Sequence, residues 1–196
     1  MTITRWEQLY QEDRRVKVAP TSICGQKAVS AFTRFQKTNI LDLGCGVGRD
    51  TVLFEAAGLR SVGADAAING LSIAKTILTD TPLVCADARS LPFENESFDG
   101  VYCFGLLHEF ASTRAEDDTL LVVAEIERIL QPSGVCVLAV LAGDPDTGLP
   151  HVRLFTEQMF HDVIQRFEII ECQHIHDTGC TGSRDYRVWC SMMVRV

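Results

Sequence analysis

A short apolar segment that runs directly into closely spaced glycines restricts the fold of this 196-residue chain more than any other feature. The apolar residues 39–43 predict a buried strand, and Gly44-Cys-Gly-Val-Gly48 follows them without a spacer. Residues 49–57 then predict a helix that ends at Gly58. Glycines let the backbone turn sharply and come close to a ligand, and the free amides at the start of the helix favour a negatively charged group.

Strands and helices alternate after this turn. Further strands are predicted at residues 60–64, 83–86, 97–104 and 135–141, and further helices at 68–78 and 116–130. Such alternation indicates a parallel sheet covered by helices. Beyond Gly148 the order changes to one helix, at 157–166, and two strands, at 167–176 and 187–196, joined by a turn at 177–182. These last strands predict a hairpin-like pair that closes a mostly parallel sheet.

The residues ahead of the first strand have a helical pattern. Trp6, Leu9 and Tyr10 recur at helical spacing, and Pro20-Thr-Ser22 marks the start of a second helix over residues 23–35. We therefore predict an N-terminal helical cap of residues 1–37 and a domain of residues 38–196. Together they are expected to form one compact, doubly wound α/β unit.

The charge balance and the cysteines narrow the class of protein. A net charge of -8 and a pI of about 5.1 argue against nucleic acid as a partner. The chain has no apolar run of about 18 residues that could span a membrane, and its first residues lack the apolar core of a secretory signal. Its eight cysteines include no CxxC pair, which favours reduced thiols. We expect a soluble, cytoplasmic protein.

The spacing of the glycines separates two kinds of ligand. A dinucleotide-binding turn has the pattern GxGxxG, which would require glycine or alanine at position 49, where this chain has Arg49. The observed pattern is GxGxG, with Asp42 two residues before the first glycine. This arrangement suits a ligand that presents a carboxylate to the helix and a cation to Asp42. A tight turn that binds no ligand is the alternative.

Two further carboxylates end the next two predicted strands. Asp65 closes Val62-Gly-Ala-Asp65, and Asp87 closes Val84-Cys-Ala-Asp87. Because ligands of open parallel sheets bind at the carboxyl ends of the strands, these acids are expected at one site with Asp42. Asp65 could accept both ribose hydroxyls of a nucleoside, and Asp87 could accept an adenine amino group. Each acid alone would equally fit a loop or a helix cap.

These segments resemble the class I S-adenosylmethionine-dependent methyltransferases. The similar segments are LDLGCGVGRD at 41–50, VGADAA at 62–67, CADARSLPFENESFDGVYCFGLLHEF at 85–110 and EIERILQPSGVCVLAV at 125–140. Residues 149–172 are similar to small methyltransferases of the type-11 and tellurite-resistance-like groups, as is the opening segment WEQLYQED. The resemblance covers about residues 38–142 without interruption.

The resemblance implies a seven-stranded sheet whose inserted last strand is antiparallel, with S-adenosylmethionine as the cofactor. The cofactor-binding residues that it implies are Asp42, Gly44, Gly46, Gly48, Asp65, Ala66, Asp87, Ala88 and Phe104. Asp42 would face the ammonium and sulfonium side of the cofactor, and the Ala88 amide would meet a ring nitrogen. Phe104 would lie beside the cofactor at the end of the fourth strand.

The positions of three residues along the chain predict contacts with the methyl acceptor. His108 comes just past the fourth strand and is the predicted base, if the nucleophile must lose a proton; otherwise it shapes the pocket wall. Tyr10, with Trp6, would cover the cofactor and reach the acceptor, although core packing of the helix explains them too. His151, with Arg153, would contact an anionic acceptor, unless both are solvated.

Cysteines and histidines near the end of the chain fit either a metal site or a polar strand surface. Cys172, His174 and His176 alternate along one predicted strand, and Cys180 follows, so four ligands for a tetrahedral metal are available. Their spacing matches no familiar zinc module, and we predict no metal. Thiolates also bind soft metalloids, but the cysteine arrangement of arsenite methyltransferases is not recognisable here.

The sequence therefore predicts a methyltransferase that acts on a small-molecule acceptor, with no prediction of oligomeric state. One alternative is a non-catalytic domain that binds S-adenosylmethionine and serves as a partner subunit. The other is a nicotinamide-dependent oxidoreductase, which Arg49 and Asp87 disfavour.

Overall fold

The computed structural model describes residues 3–12, 19–110, 115–147, 151–178 and 185–196. Within these ranges the strands form one seven-stranded sheet. They are β1 (Asn39–Leu43), β2 (Arg60–Asp65), β3 (Leu83–Cys85), β4 (Phe98–Phe104), β5 (Leu130–Leu141), β6 (Glu168–Thr178) and β7 (Asp185–Val194). Their order across the sheet is β3-β2-β1-β4-β5-β7-β6, with the first five parallel and β7 antiparallel to both β5 and β6. The predicted fold class is confirmed.

Six α-helices are found in the described ranges, close to the predicted bounds. They are α1 (Ile3–Glu12), α2 (Ile23–Arg34), α3 (Thr51–Ala56), α4 (Ile68–Ile77), α5 (Ala115–Ile129) and α6 (Glu157–Ile164). Helix α2 begins where the Ser22 hydroxyl accepts a hydrogen bond from the Gly25 amide, as an N-cap does. Across the described ranges, none of the helices has the length and apolar character needed to cross a membrane.

The core lies on both faces of the sheet. One apolar cluster packs α5 and α6 against the sheet through residues such as Ile126 and Phe160. The opposite cluster packs α2 and α3, where the Phe54 ring meets the rings of Phe32 and Tyr102 edge-on at centroid distances of 5.8 and 5.5 Å. Helix α2 is therefore part of the layer that covers the sheet, whereas α1 packs against α4.

Strand β5 begins earlier than the sequence predicts. The turn signal at Gln131-Pro-Ser-Gly134 predicts a loop before a strand at Val135, yet Leu130 already pairs with Phe98. The register then shifts, because Gly100 pairs with Val135, and Ser133 adopts a positive φ of 60°. The loop becomes an irregularity inside the strand. Likewise, β6 extends through Thr178 into the predicted turn, whose remaining residues lie outside the described ranges.

Candidate functional site

The carboxyl ends of β1, β2, β3 and β4 open onto a cavity of about 390 Å³. This volume falls in the range of small-molecule sites. The predicted cofactor residues that line it are Asp42, Gly44, Gly46, Asp65, Ala66, Asp87, Ala88 and Phe104. Gly48 is the ninth, and it is not part of the lining. The structure thus brings eight of the nine to one place, and what they bind stays a prediction.

Gly46 and Gly48 have different structural roles in the turn. Both have positive φ values, 56° and 79°. A Cβ atom on Gly46 would lie 2.5 Å from the Tyr10 hydroxyl, so Gly46 makes room for α1 above the turn. A Cβ on Gly48 would lie 3.0 Å from the Leu78 side chain, so Gly48 serves the packing beside α4.

Asp65 connects the end of β2 to the glycine turn. Its Oδ2 accepts a hydrogen bond from the Gly46 N–H at 2.9 Å, and its Oδ1 accepts one from the Ala67 N–H at 2.8 Å. Burial raises the pKa of Asp65, while these backbone bonds act in the opposite direction. A carboxylate has about four lone-pair directions, so two hydroxyl donors could still bind it.

Asp42 is a buried carboxyl group at the start of the turn. Its side chain accepts a hydrogen bond from the Thr51 hydroxyl at 2.6 Å. Burial raises its pKa to about 7, with a further contribution from the negative charge of Asp50. The group is therefore protonated more readily than an exposed aspartate. A cation placed beside it would favour the ionised form.

Asp87 is held by an arginine that the sequence reasoning did not consider. Arg89 Nη2 lies 2.7 Å from Asp87 Oδ2, and Arg89 Nη1 lies 3.0 Å from Asp118 Oδ1. The Arg89 guanidinium lowers the pKa of Asp87. Any ligand group that binds Asp87 must share its oxygens with Arg89. The sequence signal was the Asp-x-Arg spacing, whereas Asp118 comes from the distant α5.

Arg49 and Asp50 form a second buried network that sequence reasoning missed. Asp50 occupies the N-cap position of α3 but makes no capping bond there. Its Oδ2 instead accepts hydrogen bonds from the hydroxyls of Ser22 and Tyr102 at 2.7 and 2.8 Å, and from Arg49 at 3.0 Å. The Arg49 guanidinium also lies 5.3 Å from the centroid of the Phe104 ring. Arg49 is thus held in place at the cavity wall.

His108 lines the cavity from a short helical turn, Leu107–Glu109, that follows β4. Its Nδ1 accepts a hydrogen bond from the Leu141 N–H at 3.4 Å, and burial lowers its pKa to about 3. The neutral ring must then carry its proton on Nε2, since Nδ1 is an acceptor. This geometry favours His108 as a hydrogen-bond donor over the predicted role as a base.

Helix α1 lies over the glycine turn. Trp6 and Tyr10 both line the cavity, and their ring centroids are 5.3 Å apart. Tyr10 is buried, with its ring against Gly70 as well as Gly46. The two aromatic side chains therefore close this side of the cavity while packing the helix, and their contact with a cofactor or an acceptor stays a prediction.

Charged groups fix α1 at both sides of the cavity. Arg5 Nη1 lies 3.0 Å from Glu109 Oε2. On the other side, the Glu7 carboxylate accepts hydrogen bonds from the N–H groups of Ile68 and Asn69 at 2.7 and 2.9 Å, at the start of α4. These contacts join residues more than 60 positions apart in sequence, so no local pattern could indicate them.

His151 and Arg153 do not line the cavity, although Val152 between them does. His151 is exposed. The Arg153 N–H donates to the His108 carbonyl at 2.7 Å, and its guanidinium lies over the Phe155 ring at 5.2 Å from the centroid. The structure therefore does not bring this pair together at the site as an anion-binding group.

The metal alternative finds no support among the residues that the structure describes. No group of three or more His, Cys, Asp or Glu side chains in these ranges is placed to hold a metal ion. The His174 ring instead packs against Trp189, with centroids 4.7 Å apart. Cys180 lies outside the described residues.

Comparison with known proteins identifies the family. The model of the family described as "Methyltransferase domain" matches residues 41–138, which is half of the chain. The chain belongs to this methyltransferase family. The matched segment contains the glycine turn, the three strand-end aspartates and the His108 turn, and it ends within β5.

Individual relatives agree with this assignment. The chain is 32% identical over 102 residues to an uncharacterized methyltransferase of Synechocystis, covering 52% of this chain and 46% of that protein. It is 31% identical over 121 residues to a demethylmenaquinone methyltransferase of Streptomyces avermitilis, covering 61% of this chain and 48% of that protein. The chain thus matches less than half the length of these relatives.

A solved structure shares the fold over nearly the whole chain. It is the 1,6-didemethyltoxoflavin-N1-methyltransferase of Burkholderia thailandensis, solved with 1,6-didemethyltoxoflavin and S-adenosylhomocysteine bound. The TM-score is 0.75 at 18% identity, over 99% of this chain and 87% of the other. The similarity includes the antiparallel end of the sheet, beyond the segment that the family model matches.

Proposed function

We propose that this chain is an S-adenosylmethionine-dependent methyltransferase that acts on a small-molecule acceptor. The observation that carries the proposal is the meeting of Asp42, Asp65 and Asp87 with the glycine turn around one cavity. Three acids from successive strand ends match the three polar parts of this cofactor. Asp42 would face its ammonium and sulfonium side, Asp65 its ribose, and Asp87 with the Ala88 amide its adenine.

The charges around the cavity favour a cationic ligand over a dinucleotide. The lining acids are Asp42, Asp50, Asp65, Asp87, Glu109 and Asp118, and the lining bases are Arg5, Arg49 and Arg89. Each of the three arginines forms an ion pair with one of these acids. A pyrophosphate would meet this negative field unfavourably, whereas a sulfonium cation would be stabilised by it. This argues against the oxidoreductase alternative.

The protein's contribution to methyl transfer is alignment and exclusion of water. S-adenosylmethionine, when bound, supplies an electrophilic methyl group. Helix α1 covers the site through Trp6 and Tyr10, and Arg5 secures it to Glu109. Such a closed site holds donor and acceptor in the geometry of an in-line displacement and keeps water away from it.

The named relatives support a small acceptor. Demethylmenaquinone and 1,6-didemethyltoxoflavin are small molecules, and each gives its name to an enzyme that this chain resembles. Both relatives differ from this chain over most of their sequences, so we do not assign their particular acceptors to this chain. The shared feature is the class of reaction.

Formation of S-adenosylhomocysteine tests the proposal. Purified protein is incubated with S-adenosylmethionine and a panel of phenols, nitrogen heterocycles, thiols and carboxylic acids, and the product is quantified by mass spectrometry. We expect acceptor-dependent S-adenosylhomocysteine that is lost in Asp65→Ala. Tight cofactor binding without product from any acceptor would instead support the non-catalytic alternative.

A further inference from the structure

Glu109 is a buried carboxylate in the wall of the cavity. It ends the turn that follows β4, next to His108, and its side chain is only 7% exposed. It lines the same cavity as Phe104 and Gly105 at the end of β4. Sequence reasoning considered only the histidine of this Leu-His-Glu turn.

Burial and an arginine act on Glu109 in opposite directions. Arg5 from α1 lies 3.0 Å from its Oε2, and the Trp6 side chain also donates to it. Burial raises the pKa of Glu109, and the charge of Arg5 opposes this effect. A desolvated carboxylate of this kind accepts a proton more readily than a surface glutamate does.

Several other ionisable groups in the described cavity lining have contacts or assignments of their own. The Nδ1 of His108 accepts from the Leu141 N–H. Asp50 accepts four hydrogen bonds from its neighbours. Asp42, Asp65 and Asp87 lie on the side assigned to the cofactor. Glu109 is the buried carboxylate of the described lining that neither the cofactor assignment nor the Asp50 network uses.

The walls of the cavity indicate the shape and charge of the acceptor. They include the aromatic residues Trp6, Phe104, Phe110 and Tyr186 and the aliphatic residues Leu106, Leu141 and Val152. Aromatic walls favour a flat ring. Because every lining arginine is paired with an acid, and the acids outnumber the arginines, an anionic acceptor would be repelled.

We propose that Glu109 removes the proton from a neutral, planar acceptor whose nucleophilic atom is a phenolic oxygen or a ring nitrogen that carries hydrogen. This inference rests on the proposed function. The acceptor atom forms its bond to the methyl carbon as the carbon–sulfur bond breaks and its electron pair stays on sulfur. The O–H or N–H proton passes to the carboxylate, which later releases it to water. His108, with its proton on Nε2, donates a hydrogen bond to the acceptor.

The test compares Glu109→Gln with the control Glu94→Gln, an exposed glutamate outside the cavity lining. Wild type and both variants are assayed for methylation of graded phenols and nitrogen heterocycles between pH 5 and 9. We expect Glu109→Gln, whose amide oxygen can still accept from Arg5, to retain measurable S-adenosylmethionine binding but to lose roughly 100-fold or more in kcat/KM, together with the acidic limb of the pH profile. Glu109→Asp should recover part of the rate.

A second measurement needs no turnover. Carboxyl-carbon NMR of cofactor-free protein labelled at glutamate should show that the pKa of Glu109 lies above the usual range of a glutamate. Its midpoint should rise further in Arg5→Gln, because the compensating charge is gone. An unchanged midpoint in Arg5→Gln would contradict the assigned geometry.

Three further outcomes overturn the inference. An unchanged rate and pH profile in Glu109→Gln would show that Glu109 is not the base. If wild type binds the cofactor but methylates no phenol or nitrogen heterocycle, the proposed class of acceptor is wrong. Absence of cofactor binding by wild type would overturn the proposed function itself, and the inference with it.

Discussion

The carboxylate of Asp65 accepts a hydrogen bond from the backbone N–H of Gly46 at 2.9 Å, so the end of β2 holds the turn that follows β1. The same carboxylate also accepts from Ala67 at 2.8 Å. One side chain therefore fixes both segments that the proposed function assigns to the cofactor. Loss of this carboxylate should affect ligand binding and the order of the turn together.

Gly46→Ala should weaken binding of S-adenosylmethionine at least tenfold, or about 1.4 kcal/mol. The new Cβ would meet the Tyr10 hydroxyl at 2.5 Å, at a backbone φ of 56° that alanine adopts only at a cost of roughly 1–2 kcal/mol. Adding Tyr10→Phe removes the clashing oxygen and should recover part of the affinity. Calorimetry of the single and double variants measures these affinities. If Tyr10→Phe restores none of the lost affinity, the whole loss comes from the backbone conformation at position 46.

The affinity for S-adenosylmethionine should rise with pH through neutrality. Burial raises the pKa of Asp42 to about 7, and only the ionised form attracts a cation. Affinity should therefore fall by up to about tenfold per pH unit below that value and level off above it. Calorimetry at pH 6 and pH 8, in two buffers of different ionisation enthalpy, measures the accompanying proton release. Asp42→Asn should abolish the pH dependence; a dependence that persists in this variant would point to another group.

His108 should make the fold sensitive to acid. Burial lowers its pKa to about 3, below the unfolded value near 6.5, so the unfolded chain binds more protons between these pH values. The contribution of neutral His108 to the free energy of unfolding is therefore fully present above pH 6.5 and is lost as the pH falls from about 6.5 towards 3. At pH 5 the loss from this residue is about 2 kcal/mol.

Urea unfolding at pH 7 and pH 5 isolates the histidine's effect by comparing wild type with His108→Gln. The variant should lose less free energy of unfolding between the two pH values than wild type does. Because Asp42 has a raised pKa and contributes with the opposite sign over part of the same window, only the difference between the proteins is diagnostic. An equal loss in both would show that His108 is not buried in its neutral form.

Much of this fold was predictable because its signals are local. The alternation of buried strands and helices placed β1, β2 and β4 within a residue of their observed ends. Strand ends in a parallel sheet meet at one edge, so Asp42, Asp65 and Asp87 could be placed together from chain order alone. The start of β5 could not be predicted, because its irregularity depends on pairing with β4 and on bonds to Arg195.

The long-range ion pairs around the cavity carry no local signal. Arg5 meets Glu109, and Arg89 meets Asp118, only after the chain has folded, and each pair comes from elements far apart in sequence. At Gly48, by contrast, a local sequence signal was present but indicated a different contact. Its place in the motif indicated a ligand contact, whereas its observed neighbour is the Leu78 side chain. His151 was placed by its position after a loop, and the chain turns it outward.

Calorimetric titration of S-adenosylmethionine and S-adenosylhomocysteine tests the central claim most directly, using wild type, Asp65→Ala and the exposed control Asp162→Ala. We predict micromolar binding by wild type and by the control, and binding at least tenfold weaker in Asp65→Ala, a change of about 1.4 kcal/mol. Absence of binding to well-folded wild type, or equal affinity in Asp65→Ala, would contradict the assignment of this cavity to the cofactor.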